Sequence, residues 1–324
     1  MDVPFSQHSG QTTGFYCCRV SNLLIATTAL VATAGVAVAD VKVSGYARFG
    51  ALYNDGVAAG ADEINTASRL RLQFDATTET DGGLTLGVRQ RFQAEENSAN
   101  AGGNGARFYA TTGGLTIAMG NILGVIEAAP NLYLPTKSAG VGLEGNGFRS
   151  LAANTISNGG VFGWTAYSSG GAGATDGVEV LYSMNGLGLH AHSTDTSYGI
   201  GANYAFGDYK VAVAYEEWND GARDGDSILF ASVGGSFGAF DAALSYADTD
   251  YTGVTAEKIS LRAGYKANDA LYVYGFAADE NNGTDATFGL GASYGLGGGA
   301  SVEGGWTQNE AGDNLVSAGI FFSF

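Results

Sequence analysis

The chain has 324 residues, of which 15% are charged and 45% are hydrophobic, and its formal net charge is −17. The charged fraction is well below the roughly 25% of an average soluble domain, and the hydrophobic content excludes a disordered chain. A net charge this negative argues against nucleic acid as a partner, because phosphate backbones are bound through clustered basic residues. After residue 40 no apolar stretch approaches the roughly 18 residues of a membrane helix, which excludes a helical membrane protein.

Residues 1–39 are predicted to be a cleaved secretion signal with a short N-terminal extension. An apolar run over 21–39 follows Arg19 and ends in Ala-Val-Ala, the small-x-small pattern that signal peptidase recognises. We expect cleavage before Asp40, and a membrane anchor is the alternative. The mature chain would then be 40–324. It contains no cysteine, so it forms neither a disulfide nor a thiolate metal site.

From the predicted cleavage site to the end of the chain, hydrophobic residues recur with a period of two, which indicates β-strands rather than helices. In one representative run, Leu70, Leu72 and Phe74 alternate with polar neighbours. Most segments have about the 9–11 residues that a tilted strand needs to cross a bilayer. The sixteen predicted strands are 40–53, 67–79, 83–95, 105–112, 115–121, 176–184, 187–195, 198–206, 208–218, 226–236, 239–249, 257–266, 269–279, 285–294, 299–308 and 314–324.

Short and long connections alternate along this series of strands. Tight links such as Gly238 join the strands at one end, and longer polar loops such as 54–66 and 250–256 join them at the other. This segregation is typical of outer-membrane barrels, whereas a soluble sandwich has no need of it. The fold is therefore predicted to be all-β, a transmembrane antiparallel β-barrel of 16 strands.

The connection 122–175, here called the third loop, interrupts the alternation. It is much longer than the other connections and rich in glycine and asparagine, so it is either functional or contains unassigned strands. We predict that it folds into the barrel lumen and narrows it. An extracellular lid is one alternative. Another alternative is that it contains two additional strands, at 148–157 and 161–168, which would raise the count to 18.

Half of the basic residues of the mature chain are predicted to share the lumenal face of four neighbouring strands. An arginine that faced lipid at mid-bilayer would cost roughly 2–4 kcal/mol, so the inward face is favoured. Such a cluster indicates the positive side of a constriction, although pairing of individual arginines with carboxylates of the wall is the alternative. The cluster comprises Lys42, Arg48, Arg69, Arg71, Arg89, Arg91 and Arg107.

The mature chain resembles the general porins of α-proteobacteria, the trimeric sixteen-stranded type of purple non-sulfur bacteria. The resemblance is carried by VSGYARFGALY (43–53), SRLRLQFDATTETDGGLTLGVRQRF (68–92), AMGN (118–121), FGLGASYGLGGGASVEGG (288–305) and the closing Phe324. It implies passive diffusion of small hydrophilic solutes and ions through a water-filled pore in the bacterial outer membrane. It also implies an internal loop that forms an eyelet, and a homotrimer surrounded by outer-membrane lipid and lipopolysaccharide.

The resemblance further implies that carboxylates of the third loop oppose the basic cluster. Here that loop offers only Glu127 and Glu144, which departs from the family pattern. Many other acidic residues are predicted to lie on long loops and to form an acidic outer mouth that concentrates cations. They include Asp62, Glu63, Glu95, Asp220, Asp224, Asp226, Asp250, Glu280 and Asp313. We expect mild cation selectivity at low salt, which fades as dissolved ions screen these charges.

No cofactor is expected. Acidic pairs such as Asp224 with Asp226 and Asp248 with Asp250 could hold Ca²⁺ or Mg²⁺ through their oxygens, but solvated loops are the favoured interpretation.

An enzyme is not expected either. The mature chain has two histidines, His190 and His192, and neither a further metal ligand nor a nucleophile paired with a base accompanies them. They are predicted to be polar residues that face the lumen. A substrate-specific channel for a sugar or an anion is the main alternative function. An aromatic slide for a sugar could be formed by four residues of the third loop, Tyr133, Phe148, Trp164 and Tyr167. An adhesin is a more distant alternative.

Overall fold

Most of the described chain is β-strand, because the alternation of apolar and polar residues recurs along it. The computed structural model describes residues 39–95, 102–133, 162–171, 175–280 and 285–324. Within these ranges the helical structure is one 3₁₀ turn, and no helix is long and apolar enough to cross a membrane.

Seventeen strands follow one another along the chain, and they match the sixteen predicted segments to within three residues. They are β1 (Asp40–Asn54), β2 (Ile64–Glu79), β3 (Thr85–Glu95), β4 (Gly102–Gly103), β5 (Arg107–Thr112), β6 (Leu115–Asn121), β7 (Asp176–Met184), β8 (Leu187–Thr194), β9 (Ser197–Phe206), β10 (Tyr209–Trp218), β11 (Ser227–Phe237), β12 (Phe240–Tyr251), β13 (Val254–Lys266), β14 (Leu271–Asp279), β15 (Thr287–Gly297), β16 (Ala300–Gln308) and β17 (Asn314–Ser323).

The strands form one closed antiparallel sheet. Strand β1 pairs with both β2 and β17, and the strands between them pair in chain order with one exception. The two-residue β4 and the adjacent β5 both pair with β3, so together they make one interrupted barrel strand. The barrel therefore has sixteen strands, as predicted. Pairing of β1 with β17 joins the two ends of the sheet, as a strand structure inside lipid requires because unpaired backbone groups there are costly.

The alternative count of eighteen strands is wrong. Strand β6 pairs directly with β7, from Leu115 opposite Tyr182 to Asn121 opposite Asp176, and this leaves no place for two strands between them. Residues 162–168 contain no strand, whereas 148–157 lies outside the described residues.

The prediction of a long loop at 250–256 is also wrong. Residues 250–256 belong largely to a β-hairpin that continues β12 and β13 and closes at Thr252 and Gly253. Both turn residues have positive φ, 49° and 77°, as a tight two-residue hairpin requires. The polar composition of this segment therefore reflects contact with water on an extended hairpin rather than irregular backbone.

Side chains alternate between the outer and the lumenal face of the barrel. On β10, for example, Val213 is 49% exposed and its neighbour Ala214 is 2% exposed. The exposed face carries large apolar residues around the whole circumference, among them Phe49, Phe74, Leu189, Leu244 and Leu290. An outer surface of this kind is stable in lipid rather than in water.

The hydrophobic core lies inside the barrel, between the wall and the third loop. Ile126, Leu132 and Phe162 of that loop are buried against lumenal residues of β10–β13, including Phe230 and Ala247. The prediction that the third loop folds into the lumen is therefore confirmed for the parts that the structure describes, and the extracellular lid is wrong for them. Residues 134–161 of the loop lie outside the described ranges.

Candidate functional site

The predicted basic cluster lies on one part of the lumenal wall. Strand register places Arg48 opposite Arg69, and Arg91 opposite Gln73. A second row across the wall contains Lys42, Asp75, Arg89 and Arg107. The outer neighbours of these residues, such as Val43, Phe74 and Phe108, are exposed, so the basic side chains face the lumen. We call this part of the barrel, formed by β1, β2, β3 and β5, the basic wall.

Arg48, Arg69, Arg89 and Arg107 pair with carboxylates of the barrel wall. Arg48 Nη2 lies 3.7 Å from Glu95 Oε1, and Arg69 contacts the same carboxylate. Arg89 Nε lies 2.7 Å from Asp75 Oδ1, and Arg107 Nε lies 2.6 Å from Glu179 Oε1. The alternative interpretation, in which individual arginines pair with carboxylates of the wall, therefore holds for these four residues. As a result, the basic wall is less positive than its number of arginines suggests.

Arg71 and Arg91 are oriented by neutral groups. Arg71 Nε donates to Gln93 Oε1 at 2.7 Å, and Arg91 Nε donates to Gln73 Oε1 at 2.7 Å. The Arg91 guanidinium also lies 4.6 Å from the centre of the Tyr167 ring. The amide oxygen and the aromatic face hold the Arg91 guanidinium in place without cancelling its charge.

The second arm of the third loop, 162–171, is fastened close to the basic wall. Arg91 Nη1 donates to Ser169 Oγ at 3.1 Å. The side chain of Asn121, the last residue of β6, accepts from the backbone N–H of Ser168 at 3.0 Å and of Thr175 at 3.1 Å, and it donates to the carbonyl of Ser168 at 2.9 Å. Sequence reasoning missed this role of Asn121, although the AMGN passage that ends in it was singled out.

The first arm of the loop, 122–133, is fastened to the neighbouring wall by buried polar side chains. Glu179 accepts from the backbone N–H of Leu123 at 3.0 Å and lies 2.9 Å from His190 Nε2. His192 Nδ1 accepts from the backbone N–H of Val125 at 3.1 Å. Both histidines face the lumen, as predicted, but they are buried beneath the loop and position it.

The turn at Pro130 and Asn131 is held by the opposite side of the lumen. Ser232 Oγ donates to the carbonyl of Pro130 at 2.8 Å, and Ser245 Oγ donates to the carbonyl of Asn131 at 3.1 Å. Arg262 Nη2 donates to Asn131 Oδ1 at 3.3 Å. Asn131 has a positive φ of 64°, a conformation that asparagine tolerates better than most residues.

Glu127, the predicted acidic partner of the basic wall, lies on the loop beside two aromatic residues. It accepts from Tyr133 Oη at 2.5 Å and from Trp164 Nε1 at 2.9 Å, and both donors are neutral. Within the described part of the chain it forms no ion pair with a residue of the basic wall. Glu144, the other predicted partner, lies outside the described residues.

The acidic outer mouth is smaller than predicted. Glu95 pairs with arginines of the basic wall. Asp226 lies 3.0 Å from Arg223 Nε, and Glu280 lies 3.1 Å from Lys258 Nζ. By contrast, Asp62 and Asp220 are exposed on loops. Part of the negative charge assigned to the mouth is therefore neutralised by ion pairs.

Among the described residues, no group of three or more His, Cys, Asp or Glu side chains is arranged to hold a metal ion. Both oxygens of Asp226 are engaged, one by Arg223 and the other by the backbone N–H of Thr252 at 2.6 Å. The possibility of Ca²⁺ or Mg²⁺ at the acidic loops stays a prediction.

Comparison with known proteins identifies the family. The Gram-negative porin family matches residues 26–314. This chain belongs to the Gram-negative porins. It is 30% identical over 317 residues to the porin of Rhodobacter capsulatus and 26% identical over 307 residues to the porin of Fuscovulum blasticum. Each match covers 88% of this chain and 100% of the relative.

Solved porin structures have the same fold. Two mutants of the Rhodopseudomonas blastica porin superpose with TM-scores of 0.74 and 0.75 at 26% identity, and each match covers 88% of this chain and all of theirs. The resemblance drawn from the sequence is thus confirmed, and the chain is a multi-pass protein of the outer membrane. Since porins are channels rather than enzymes, membership also agrees with the expectation of a non-enzymatic protein.

Proposed function

We propose that this barrel is a passive diffusion pore for small hydrophilic solutes and ions across the bacterial outer membrane, with a charged constriction between the basic wall and the third loop. The observation that carries the proposal is the placement of the loop inside a closed barrel. Both of its described arms are fastened to lumenal side chains, by Glu179 and Asn121. A loop held in this way narrows the lumen without blocking it from outside.

The positive side of the constriction is assigned to the basic wall, with Arg91 as its main source of uncompensated charge. Its hydrogen-bonding partners Gln73 and Ser169 are neutral, whereas Arg89 and Arg107 face carboxylates at 2.6–2.7 Å. The negative side is assigned to Glu127 and, from the sequence, Glu144. With so much of the basic charge compensated, exposed loop carboxylates give the pore a mild preference for cations at low salt.

The functional unit is proposed to be a homotrimer embedded in outer-membrane lipid and lipopolysaccharide. Membership of the porin family supports this assembly. Removal of residues 1–39 before insertion is part of the same proposal. It is supported by the position of β1, which begins at Asp40, directly after the predicted cleavage site.

The test is single-channel recording in a planar bilayer, combined with the reversal potential under a salt gradient. Large ohmic steps in groups of three, with little block by any single sugar, are the expected result. The sign of the reversal potential then reports whether the basic wall or the loop carboxylates dominate selectivity. Strong block by one solute would instead favour a substrate-specific channel, and absence of conductance would overturn the proposal.

A further inference from the structure

A cavity of about 520 Å³ lies in the lumen near the short-turn end of the barrel, on the side away from the basic wall. Its lining comes from inward-facing residues of β10–β15, from two of the short turns and from Asn131 of the third loop. In outer-membrane barrels the short turns face the periplasm. The volume falls within the range of roughly 300–1,000 Å³ that is usual for small-molecule sites.

Four charged side chains surround this cavity and remain exposed: Asp208, Lys210, Lys266 and Asp269. Among the described residues none of the four forms an ion pair. The cavity therefore offers two ammonium groups and two carboxylates that are all available to a ligand, whereas most arginines of the basic wall already face carboxylates.

A hydrogen-bonded frame fixes the floor of the cavity. Arg262 Nη1 lies 3.0 Å from Asp241 Oδ1, and Tyr272 Oη donates to Asp241 Oδ2 at 2.9 Å. Arg262 continues this frame to the third loop through Asn131. Gly264 makes room for it, since a Cβ there would collide with the Tyr272 hydroxyl. The charge of Arg262 is compensated by Asp241, so a ligand in the cavity would be recognised by the four exposed charged groups.

The turn that carries Asp269 is itself rigid. Asn268 Oδ1 accepts from the backbone N–H groups of Ala270 and Leu271, each at 2.9 Å. On the neighbouring strands, Lys210 and Lys266 project inward at the ends of β10 and β13. The fixed turn restricts the position of Asp269, which reduces the conformational entropy that would be lost there when a ligand binds.

We propose that this cavity is a binding site for zwitterionic amino acids and short peptides with free termini, reached from the periplasmic side. A ligand with one ammonium and one carboxylate can engage both kinds of unpaired group, whereas an ion of a single sign would also meet repulsion. The inference rests on the proposed pore function, because solute reaches the cavity through the lumen. It deepens that function by naming a class of solute retained along the path.

The test uses current block by triglycine in a planar bilayer at low salt, with the peptide added to one side at a time. Low salt is needed because the Debye length is about 10 Å at 0.1 M ionic strength. We expect block that is stronger from the short-turn side and absent with N-acetyl-triglycine amide, which carries no charge. Two double variants provide the decisive comparison, Asp208→Asn with Asp269→Asn and Lys210→Gln with Lys266→Gln.

Both double variants are expected to weaken block about fourfold to ninefold, at roughly two- to threefold for each of the two lost exposed charge contacts. They change the net charge in opposite directions, so a purely electrostatic effect on permeation would move them oppositely. Asp81→Asn, on another short turn and exposed, is the matched control and should leave block unchanged. Equal block by the capped peptide, or opposite shifts in the two doubles, would overturn the site. Loss of conductance without peptide would instead count against the pore itself.

Discussion

The basic wall and the wall that supports the third loop use the same strand alternation for different purposes. On the basic wall, the inward positions carry long charged side chains that pair across strands, such as Arg89 with Asp75. On β10–β13 many inward positions carry alanine, including Ala214, Ala243 and Ala247. Small residues leave the volume that the loop fills, so one wall is shaped for polar solute and the other for packing.

The third loop is held in two ways. Its apolar residues pack against the alanine-rich wall, whereas its backbone is held by buried acceptors on β7 and β8. Disrupting the polar attachments should cost more than removing an apolar contact, because a buried group left without its partner is penalised by desolvation.

The largest effect is expected from Glu179→Gln. Glu179 is 1% exposed, and it meets Arg107, His190 and the backbone N–H of Leu123. Removing its charge leaves Arg107 buried without compensation, which typically costs about 3–5 kcal/mol. Thermal unfolding followed by circular dichroism should show a lowered midpoint, and single channels should flicker because the first arm is released. Asp62→Asn, at an exposed loop position, is the control. A wild-type midpoint would contradict the assigned anchor.

A smaller loss is expected from Ile126→Ala, which removes a fully buried contact between the loop and the alanine-rich wall. Substitutions of this kind cost about 2–5 kcal/mol where the site cannot collapse. The irregular backbone of this loop can partly close the gap, so the lower half of that range applies here. We expect more frequent transient closures in single-channel records. Leu229→Ala, which removes a lipid-facing side chain that is 39% exposed, should not change the closure rate, and equal effects of both would refute the packing assignment.

A selectivity effect is expected from Arg91→Gln, which removes charge that neutral partners leave uncancelled. One unit charge acting over 4–8 Å at the dielectric constant of water contributes about 0.5–1 kcal/mol. The ratio of cation to anion permeability should therefore rise roughly two- to fivefold, read from the reversal potential. Replacing the ion pair as a whole, with Arg89→Gln and Asp75→Asn together, should leave the ratio close to wild type. A similar shift in both variants would mean that the two parts of the wall do not differ.

The smallest effect concerns the loop between β1 and β2. Asp55 accepts from the backbone N–H of Asn314 at 2.5 Å and from its side chain at 2.9 Å, and these bonds hold the pKa of Asp55 below its ordinary value. The contribution of this contact to stability is therefore complete above the ordinary aspartate pKa and is lost as the pH falls through the lowered value.

The protection factor of the Asn314 amide, which compares its exchange with that of an unstructured peptide at the same pH, should accordingly fall only in acid. Asp55→Asn keeps a side-chain acceptor but cannot titrate, so the protection factor of the Asn314 amide in that variant should lose its acid dependence. Unchanged acid dependence in that variant would assign the titration to another group.

The sequence by itself predicted the sixteen strands to within three residues and the face on which their side chains lie, whereas the pairing of β6 with β7 excluded the count of eighteen. A period of two is a local property, so Arg69 and Arg91 could be placed in the lumen from their immediate neighbours. Cross-strand partners within one hairpin, such as Asp75 and Arg89, are separated by 14 positions, and their pairing follows once the turn is known. The extended hairpin at 252–253 was missed because polar residues on a strand in water resemble those of a loop.

Only the tertiary structure decided which of these charges are cancelled and where the third loop is attached. Arg107 meets Glu179 across 72 positions, and Ser245 meets Asn131 across 114. Such contacts depend on closure of the barrel and on the path of an irregular loop, neither of which has a periodic signature in sequence. The faces of the strands follow from local sterics, whereas the electrostatics of the lumen arise from groups brought together when the sheet closes around the loop.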